Sequence, residues 1–353
     1  MARRNAGIER DAVKERQPIN RALVIGGRGV LGGLTVRAFS EAGWDVRSGV
    51  RGARAGEIEL DLERPESVRA ALREHELVVN TVPHSDLIAE RLVLEHGGTL
   101  INIATLPAAA TRGLRAVAGG ARGTVLMNAG LAPGVTTILA ADLLRRHPEA
   151  EELEMVFSLA AAVPRGPASV DFVQRGLKAV DRHRTVAVPL PEPFGERTCV
   201  GFGEDDAGWL GGIAEGRIVR SYLCVLEPPM HEWLLTLNDV GALTRLSKSV
   251  IRPHPPDANR TPSQEPVAHW VAAVRGDRRL AVWTVQCRGD FVHTARSAVV
   301  FAEALLARAP GGGCFDPEEI CTLAGLQADL EAVGITVAPA ERPLRSRAGS
   351  ARE

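Results

Sequence analysis

Three glycines, Gly27, Gly29 and Gly32, stand at the spacing G-x-G-x-x-G inside the stretch RALVIGGRGVLGG that begins at Arg21. Each has a physical task in a phosphate-binding turn. The first allows a tight bend, the second lets the backbone approach a pyrophosphate, and the third lets the following helix pack against the preceding strand. Such a turn holds its ligand through main-chain N–H groups and the positive end of the helix, so Arg28, Val30 and Leu31 join the candidate set. A glycine cluster also makes ordinary surface turns, and the flanking pattern decides between the two. Before it comes the apolar, β-branched run 22–25, and after it a helical pattern through Ala38 and Phe39. With a strand before and a helix after, the spacing predicts a dinucleotide-binding turn.

The end of the next strand, predicted over 44–50, selects the dinucleotide. An NAD site places a carboxylate there for the ribose 2′-hydroxyl. Here the strand ends Arg47–Ser48–Gly49–Val50–Arg51. Ser48 and Arg51 suit a 2′-phosphate, and Arg28 in the turn is in reach, although these arginines also read as surface charges. NADP is the expected cofactor, with NAD the other possibility. A short third strand over 58–60 delivers Asp61, and a fourth over 77–81 ends in Thr81, Val82, Pro83 and His84, beside the expected nicotinamide position.

Two residues are candidates for the chemistry itself. His84 follows the fourth strand at the ligand end and suits an acid or substrate contact, or else is a loop histidine without a role. Asn128 closes a later strand and suits a carboxamide or a substrate carboxylate, or else caps a helix. His293 is a weaker candidate of the same kind, and Arg165 and Arg175 could grip a substrate carboxylate or simply line a solvated helix face. Trp233, Trp270 and Trp283 read as core, and His231 and His269 lack metal-site spacing. The sole tyrosine, Tyr222, is followed four positions later by Leu226, which excludes a Tyr-x-x-x-Lys pair.

The elements that must position these residues alternate. Helices over 65–75, 85–96 and 107–117 separate strands over 77–81, 99–103 and 124–127, and the segment 128–134 opens another helix through Arg145. This rhythm with short links is that of an α/β fold, a Rossmann doubly wound parallel sheet. From about Glu151 the rhythm changes. Strand runs at 153–160, 185–189 and 217–225 accompany a helix over 168–180, a helical stretch over 231–246 and a Pro-rich link at 252–262. Strands over 269–274 and 279–287 flank a hairpin turn, and helices follow over 294–307 and 323–333. The expected plan is a disordered tail (1–20), a nucleotide-binding domain (21–135), a largely antiparallel α+β domain (136–292), C-terminal helices returning to the first domain (293–338) and a second tail (339–353).

Composition narrows the partners. A chain of 353 residues with 45% apolar content has room for two domains, and a formal net charge of -1 offers nothing to nucleic acid or an anionic membrane. No apolar run approaches a membrane span, and the charged first residues are unlike a secretory signal. The five scattered cysteines form no C-x-x-C pair, so no metal site is expected and a reducing cytoplasm fits.

Four segments together resemble the saccharopine dehydrogenase-like family, its saccharopine reductase-type members in particular. They are VIGGRGVLGG, VVNTVP, NAGLAPGV and the C-terminal pattern TARSAVVFAEALL…GGGCFDPEEI…LQADLEAVGI, with the hairpin AAVRGDRRLAVWTVQCRGD just before the last. The likeness runs from about Arg21 to Val337. It implies an NAD(P)-dependent oxidoreductase acting on a C=N or C=O bond of a small amino- or oxo-acid-like substrate, commonly as a homodimer with a cleft between its domains. Members often carry an acidic residue where this chain has Ala132, and Asp or Tyr within the segment that here reads 102–105 as NIAT, so saccharopine itself is not the expected substrate. Two other readings stay open: a nonenzymatic NADP-binding sensor, and a C=C reductase on the same fold.

Overall fold

Arg21–Ile25 (β1) is the strand the sequence predicts, and its apolar residues are wholly buried because helices cover both faces of the sheet it belongs to. The structure, a computed structural model, describes residues 20–104, 106, 108–160, 166–179, 184–203, 210, 213–214, 216–245 and 264–340. After β1 the chain alternates through Val30–Glu41 (α1), Asp45–Val50 (β2), Ile58–Glu59 (β3), Pro65–Leu72 (α2), Leu77–Asn80 (β4), Ile88–His96 (α3), Thr99–Asn102 (β5), Ala108–Val117 (α4), Thr124–Leu126 (β6) and Val135–Arg146 (α5).

A second series follows: Glu152–Leu159 (β7), Pro167–Lys178 (α6), Thr185–Pro189 (β8), Glu196–Phe202 (β9), Ile218–Val225 (β10) and Pro228–Asp239 (α7). Then come Pro266–Arg275 (β11), Arg278–Arg288 (β12), Asp290–Arg308 (α8), Gly313–Phe315 (β13), Pro317–Ile320 (α9), Leu323–Ala332 (α10) and Thr336–Pro339 (β14).

These strands make two seven-stranded sheets. The first has the order β13-β6-β5-β4-β1-β2-β3 and every described pairing in it is parallel. Read from β3, this is the doubly wound order, with its switch point between β1 and β4. The second has the order β14-β12-β11-β7-β10-β9-β8 and is antiparallel except where β7 and β10 run parallel. One continuous apolar core joins the sheets: Leu139 and Leu143 of α5, Met155 and Val271 of the second sheet, and Ala298 and Phe301 of α8, which packs against α1.

Several boundaries differ from the sequence-based expectation, each for a local reason. β4 stops at Asn80, because Thr81 turns to bond Ile25 and Asn80 Oδ1 accepts the Val82 N–H at 3.0 Å. The helix expected from 85 begins at Ile88, behind the left-handed Leu87 (φ 52). The helix expected from Thr294 begins at Asp290, behind Gly289 (φ 86), so His293 lies within its first turn. The sequence does not predict the strands β9, β13 and β14; β14 follows the last helix of the 293–338 segment and ends on Pro339, the first residue expected as a tail. The remaining tails, Arg165 and the Pro-rich link at 252–262 lie outside the described residues.

Candidate functional site

The glycine turn knits the carboxyl ends of three neighbouring strands. Gly26 bends the chain in the left-handed region (φ +83) and donates its N–H to Gly49 O of β2 at 2.9 Å, while Thr81 Oγ1 donates to Ile25 O at 2.7 Å. A Cβ on Gly32 would fall 2.0 Å from Gly26 O, so α1 approaches the turn as closely as only glycine allows. A Cβ on Gly27 would lie 2.5 Å from Ser48 Oγ. Ser48, expected as a phosphate ligand, therefore packs beneath the turn and lines no part of the cleft above it. Gly29 is different. It stands at the N-cap of α1, its Cβ would meet only Gly26 O, at 3.2 Å, and it borders the cleft. The amides of Val30, Leu31 and Gly32 have no acceptor within the helix, and the space above Gly29 is what a pyrophosphate requires. The turn fits a dinucleotide.

The cleft over this turn has a volume of about 770 Å³ and runs from Arg51 and Asp61 past Gly29 to Val82, His84 and Ala104. Arg28 does not face it freely. Its Nε donates to Glu57 Oε1 at 2.9 Å, its Nη2 pairs with Glu57 Oε2, and Nη2 also donates to Gly52 O at 3.0 Å. The partnership with Arg28 and a bond from the Arg54 N–H hold the Glu57 carboxyl below its usual range. The Gly52 and Ala53 N–H groups are taken by Glu59, at 3.1 and 2.7 Å. Arg51, also exposed on this wall, carries no such ion pair among the described residues. Asp61 accepts the Glu63 N–H and faces Arg64, so its carboxylate braces its own loop. His84 lines the cleft, with Nδ1 accepting from the Asp86 N–H and Nε2 turned to Glu63 Oε1, both at 3.3 Å.

A buried carboxyl holds the two strand ends that border the cleft. Glu90 Oε1, on α3, accepts from Asn80 Nδ2 at 2.7 Å and from Asn102 Nδ2 at 2.5 Å, and all three residues are buried. The oxygens of the two asparagines accept the N–H groups of Val82 and Ala104, at 3.0 and 2.8 Å. One side chain thereby sets the exit direction of β4 and β5 together.

Past Ala104 the cleft continues into an inner cavity of about 100 Å³ between the two sheets. The openings share Leu31, Ile103, Ala104, Ser169 and Phe291. Phe157, Phe172 and Phe202 form an edge-to-face wall, with ring centroids 6.3 and 5.2 Å apart. His269 of β11 and Ser158 of β7 sit where the ladder between their strands, which ends at Trp270↔Val156, is continued by side chains. The Ser158 N–H donates to His269 Nδ1 at 3.2 Å, and the Ala268 N–H donates to Ser158 Oγ at 3.0 Å. Because a backbone amide can only donate, Nδ1 must be the bare nitrogen and Nε2 carries the proton. Burial pushes the His269 pKa down to about 4 against a weaker upward pull from Asp290, so the ring is neutral near pH 7.

Comparison with solved structures gives a relative for this geometry. The saccharopine dehydrogenase (L-Glu forming) of Saccharomyces cerevisiae superposes with a TM-score of 0.57 at 10% identity, covering 91% of this chain and 100% of that one. The likeness is one of fold. A C. glutamicum DAP dehydrogenase in complex with DAP aligns more loosely, with a TM-score of 0.48 at 12% identity over 88% of this chain and 99% of that one. No protein-family model matches the sequence, and no curated protein matches it. The saccharopine dehydrogenase-like architecture expected from the motifs is thus found in three dimensions, where sequence identity alone is too low to carry it.

The other expected residues are dispersed. Asn128 (φ 55) borders the inner cavity, but its amide nitrogen donates to Asp316 Oδ1 at 3.0 Å, fastening the end of β6 to the start of α9. Arg115 closes the same cluster, 2.6 Å from Asp316 Oδ2. His293 donates from Nδ1 to Gly289 O at 3.0 Å and lines neither cavity, and Arg175 lines neither. Trp270 is core, Trp283 lies against Arg146, and Trp233 is exposed on α7. Among the described residues no group of side chains could hold a metal, and no helix is long and apolar enough to cross a membrane. His269 and Ser158 are the functional candidates that spacing missed. Their only mark in the sequence is a polar residue inside a continuous apolar run.

Proposed function

We propose that this chain is an NADP-dependent oxidoreductase that transfers a hydride to or from a C=N or C=O bond of a small amino- or oxo-acid-like substrate. The observation that carries the reading is the continuity of the glycine-turn cleft with an inner cavity at the carboxyl ends of a parallel sheet, where such sheets bind ligands. When bound, the nicotinamide supplies or takes up the hydride. The chain's own residues do the rest. Gly29 leaves room for the pyrophosphate, and the Val30, Leu31 and Gly32 amides hold it. Val82 and Pro83 floor the nicotinamide end, and Leu31, Ile103 and Phe291 at the shared opening exclude water from the reacting carbon.

Support for NADP over NAD rests on Arg51, since Arg28 is neutralised by Glu57 and Ser48 is beneath the turn. His269 offers a neutral N–H to the substrate, a positioning hydrogen bond rather than a proton supply, whereas His84 is turned to Glu63 in the outer cleft. A homodimer working in the cytoplasm belongs to the same proposal; sedimentation of the purified chain and cell fractionation read it out. The decisive experiment is a fluorescence titration with NADPH and NADH, followed by NADPH oxidation screened against pools of amines with oxo acids. Tight NADPH binding with turnover in one pool is expected. Failure of both dinucleotides to bind at millimolar concentration overturns the reading.

A further inference from the structure

The inner cavity is not built like a site for a charged side chain. Its walls are Phe157, Phe172, Val173, Phe202 and Leu223, and its described lining holds no lysine or arginine. An anionic group placed there would lose its water without gaining a counter-charge, and the acidic Asp290 on the same lining opposes it further. Two neutral polar side chains, Ser158 and His269, also face it. Ser158 and His269 are 0% and 3% exposed, and each uses one of its atoms to continue the strand ladder. That leaves the His269 Nε2–H and the Ser158 hydroxyl proton without an acceptor among the described residues. Two unmatched donors in a buried, largely aromatic pocket are costly unless something accepts from them.

Size sharpens the class. A cavity of about 150 Å³ holds benzene. The 100 Å³ here therefore suits a group of roughly four or five carbon atoms by the same scale. We propose that the inner cavity is a side-chain pocket for a compact, uncharged apolar group of the substrate, with His269 Nε2–H and the Ser158 hydroxyl donating to an uncharged acceptor oxygen at its mouth. This rests on the oxidoreductase reading, deepening it by naming the substrate class: a branched aliphatic amino- or oxo-compound, rather than one with an aromatic ring or a second carboxylate in its side chain.

The test uses the full chain, with and without saturating NADPH, and three 2-oxo acids that differ only in side chain: pyruvate (methyl), 4-methyl-2-oxopentanoate (isobutyl) and 2-oxoglutarate (carboxyethyl). Binding is read by calorimetry or saturation-transfer NMR. Isobutyl is expected to bind about tenfold to a hundredfold tighter than methyl, from the added buried carbons, and carboxyethyl no tighter than methyl. Val173→Phe, which fills the cavity, should abolish the isobutyl advantage while leaving NADPH affinity unchanged. Val173→Ala, a mild enlargement that guards against misfolding, should shift the preference to phenylpyruvate. Equal binding of all three acids, or a preference for carboxyethyl, overturns the pocket assignment. If NADPH itself fails to bind while the isobutyl preference persists, the dinucleotide reading falls and the pocket stands.

Discussion

Replacing Glu90 by alanine removes one acceptor that two buried amides share. Asn80 Nδ2 and Asn102 Nδ2 both donate to Glu90 Oε1, and neither can reach solvent. A buried donor left unmade costs roughly 1–3 kcal/mol, so the pair should cost about 2–6 kcal/mol. That is a large share of the 5–15 kcal/mol or so that holds an average domain together. The damage also has a definite place. Once the asparagines can rotate, their oxygens no longer fix the Val82 and Ala104 N–H groups, and both residues border the cleft over the glycine turn. Glu90→Ala should therefore lower the urea-unfolding free energy by this amount and weaken NADPH binding several-fold in the folded protein. Glu90→Gln keeps an acceptor oxygen and should recover most of both. An alanine variant within about 0.5 kcal/mol of the parent, the scale of an inconsequential surface change, would refute the idea that this carboxyl positions the strand ends.

The glycine turn predicts a contrast: Gly29→Val should stay folded and lose dinucleotide binding in calorimetry, because its side chain enters the open cleft. Gly32→Ala should instead lower the unfolding midpoint, since its Cβ would meet Gly26 O at 2.0 Å, and tight NADPH binding by Gly29→Val would show the loop to be structural. Arg51→Ala should weaken NADPH by on the order of ten- to a hundredfold and leave NADH unchanged, a charge-assisted contact being worth roughly 1.5–3 kcal/mol; equal losses would make Arg51 a fold residue. Burial, then the nearby Asp316, push Glu318 up to about 8, and burial pushes Asp316 up to about 6 against Arg115. Both folded values exceed the ordinary ones of 3.8 and 4.5, so stability is full below about pH 4 and is lost as pH rises, up to about 6 for Asp316 and up to about 8 for Glu318. Between about pH 6 and 8, where only Glu318 still titrates, the urea-unfolding free energy should fall by roughly 2–3 kcal/mol, at about 1.4 kcal/mol per pH unit for one proton, and Glu318→Gln should flatten that decline; an unchanged slope in that variant assigns it elsewhere.

Most of the first sheet could be read from the sequence because its strands are short apolar runs bounded by glycine, proline or asparagine. ALVI, LVVN and TLIN leave no alternative period, and the turn after ALVI announces itself through steric need. The strand GCF of β13 has no pattern of its own: it forms because the edge of β6 is there to pair with, a fact of topology. The short TVAP of β14 is recruited in the same way by β12. The site divides along the same line. Gly29 and Arg51 border the cleft where local geometry puts them, so their position there was legible from spacing. Asn128 and His84 were placed correctly along the chain, but their partners Asp316 and Glu63 come from segments that no spacing connects. His269 lies 111 positions from the amide that fixes its tautomer.

The two late strands also bear on how the molecule is assembled. β13 completes the parallel sheet by pairing Gly313 with Thr124, and β14 closes the edge of the other sheet by pairing Val337 with Val285. One short stretch of chain is thus the final strand of both layers. Everything between Thr124 and Gly313, including the whole interior of the second sheet, must be spanned before the first sheet has its last neighbour. Such non-local pairing makes for slow folding, since a long loop must close before any contact rewards it. The edge of β6 stays open meanwhile, and an open parallel edge is a template for a second, half-made copy. A cut between β12 and β13 would accordingly trouble both halves at once, and the refolding yield should fall as protein concentration rises.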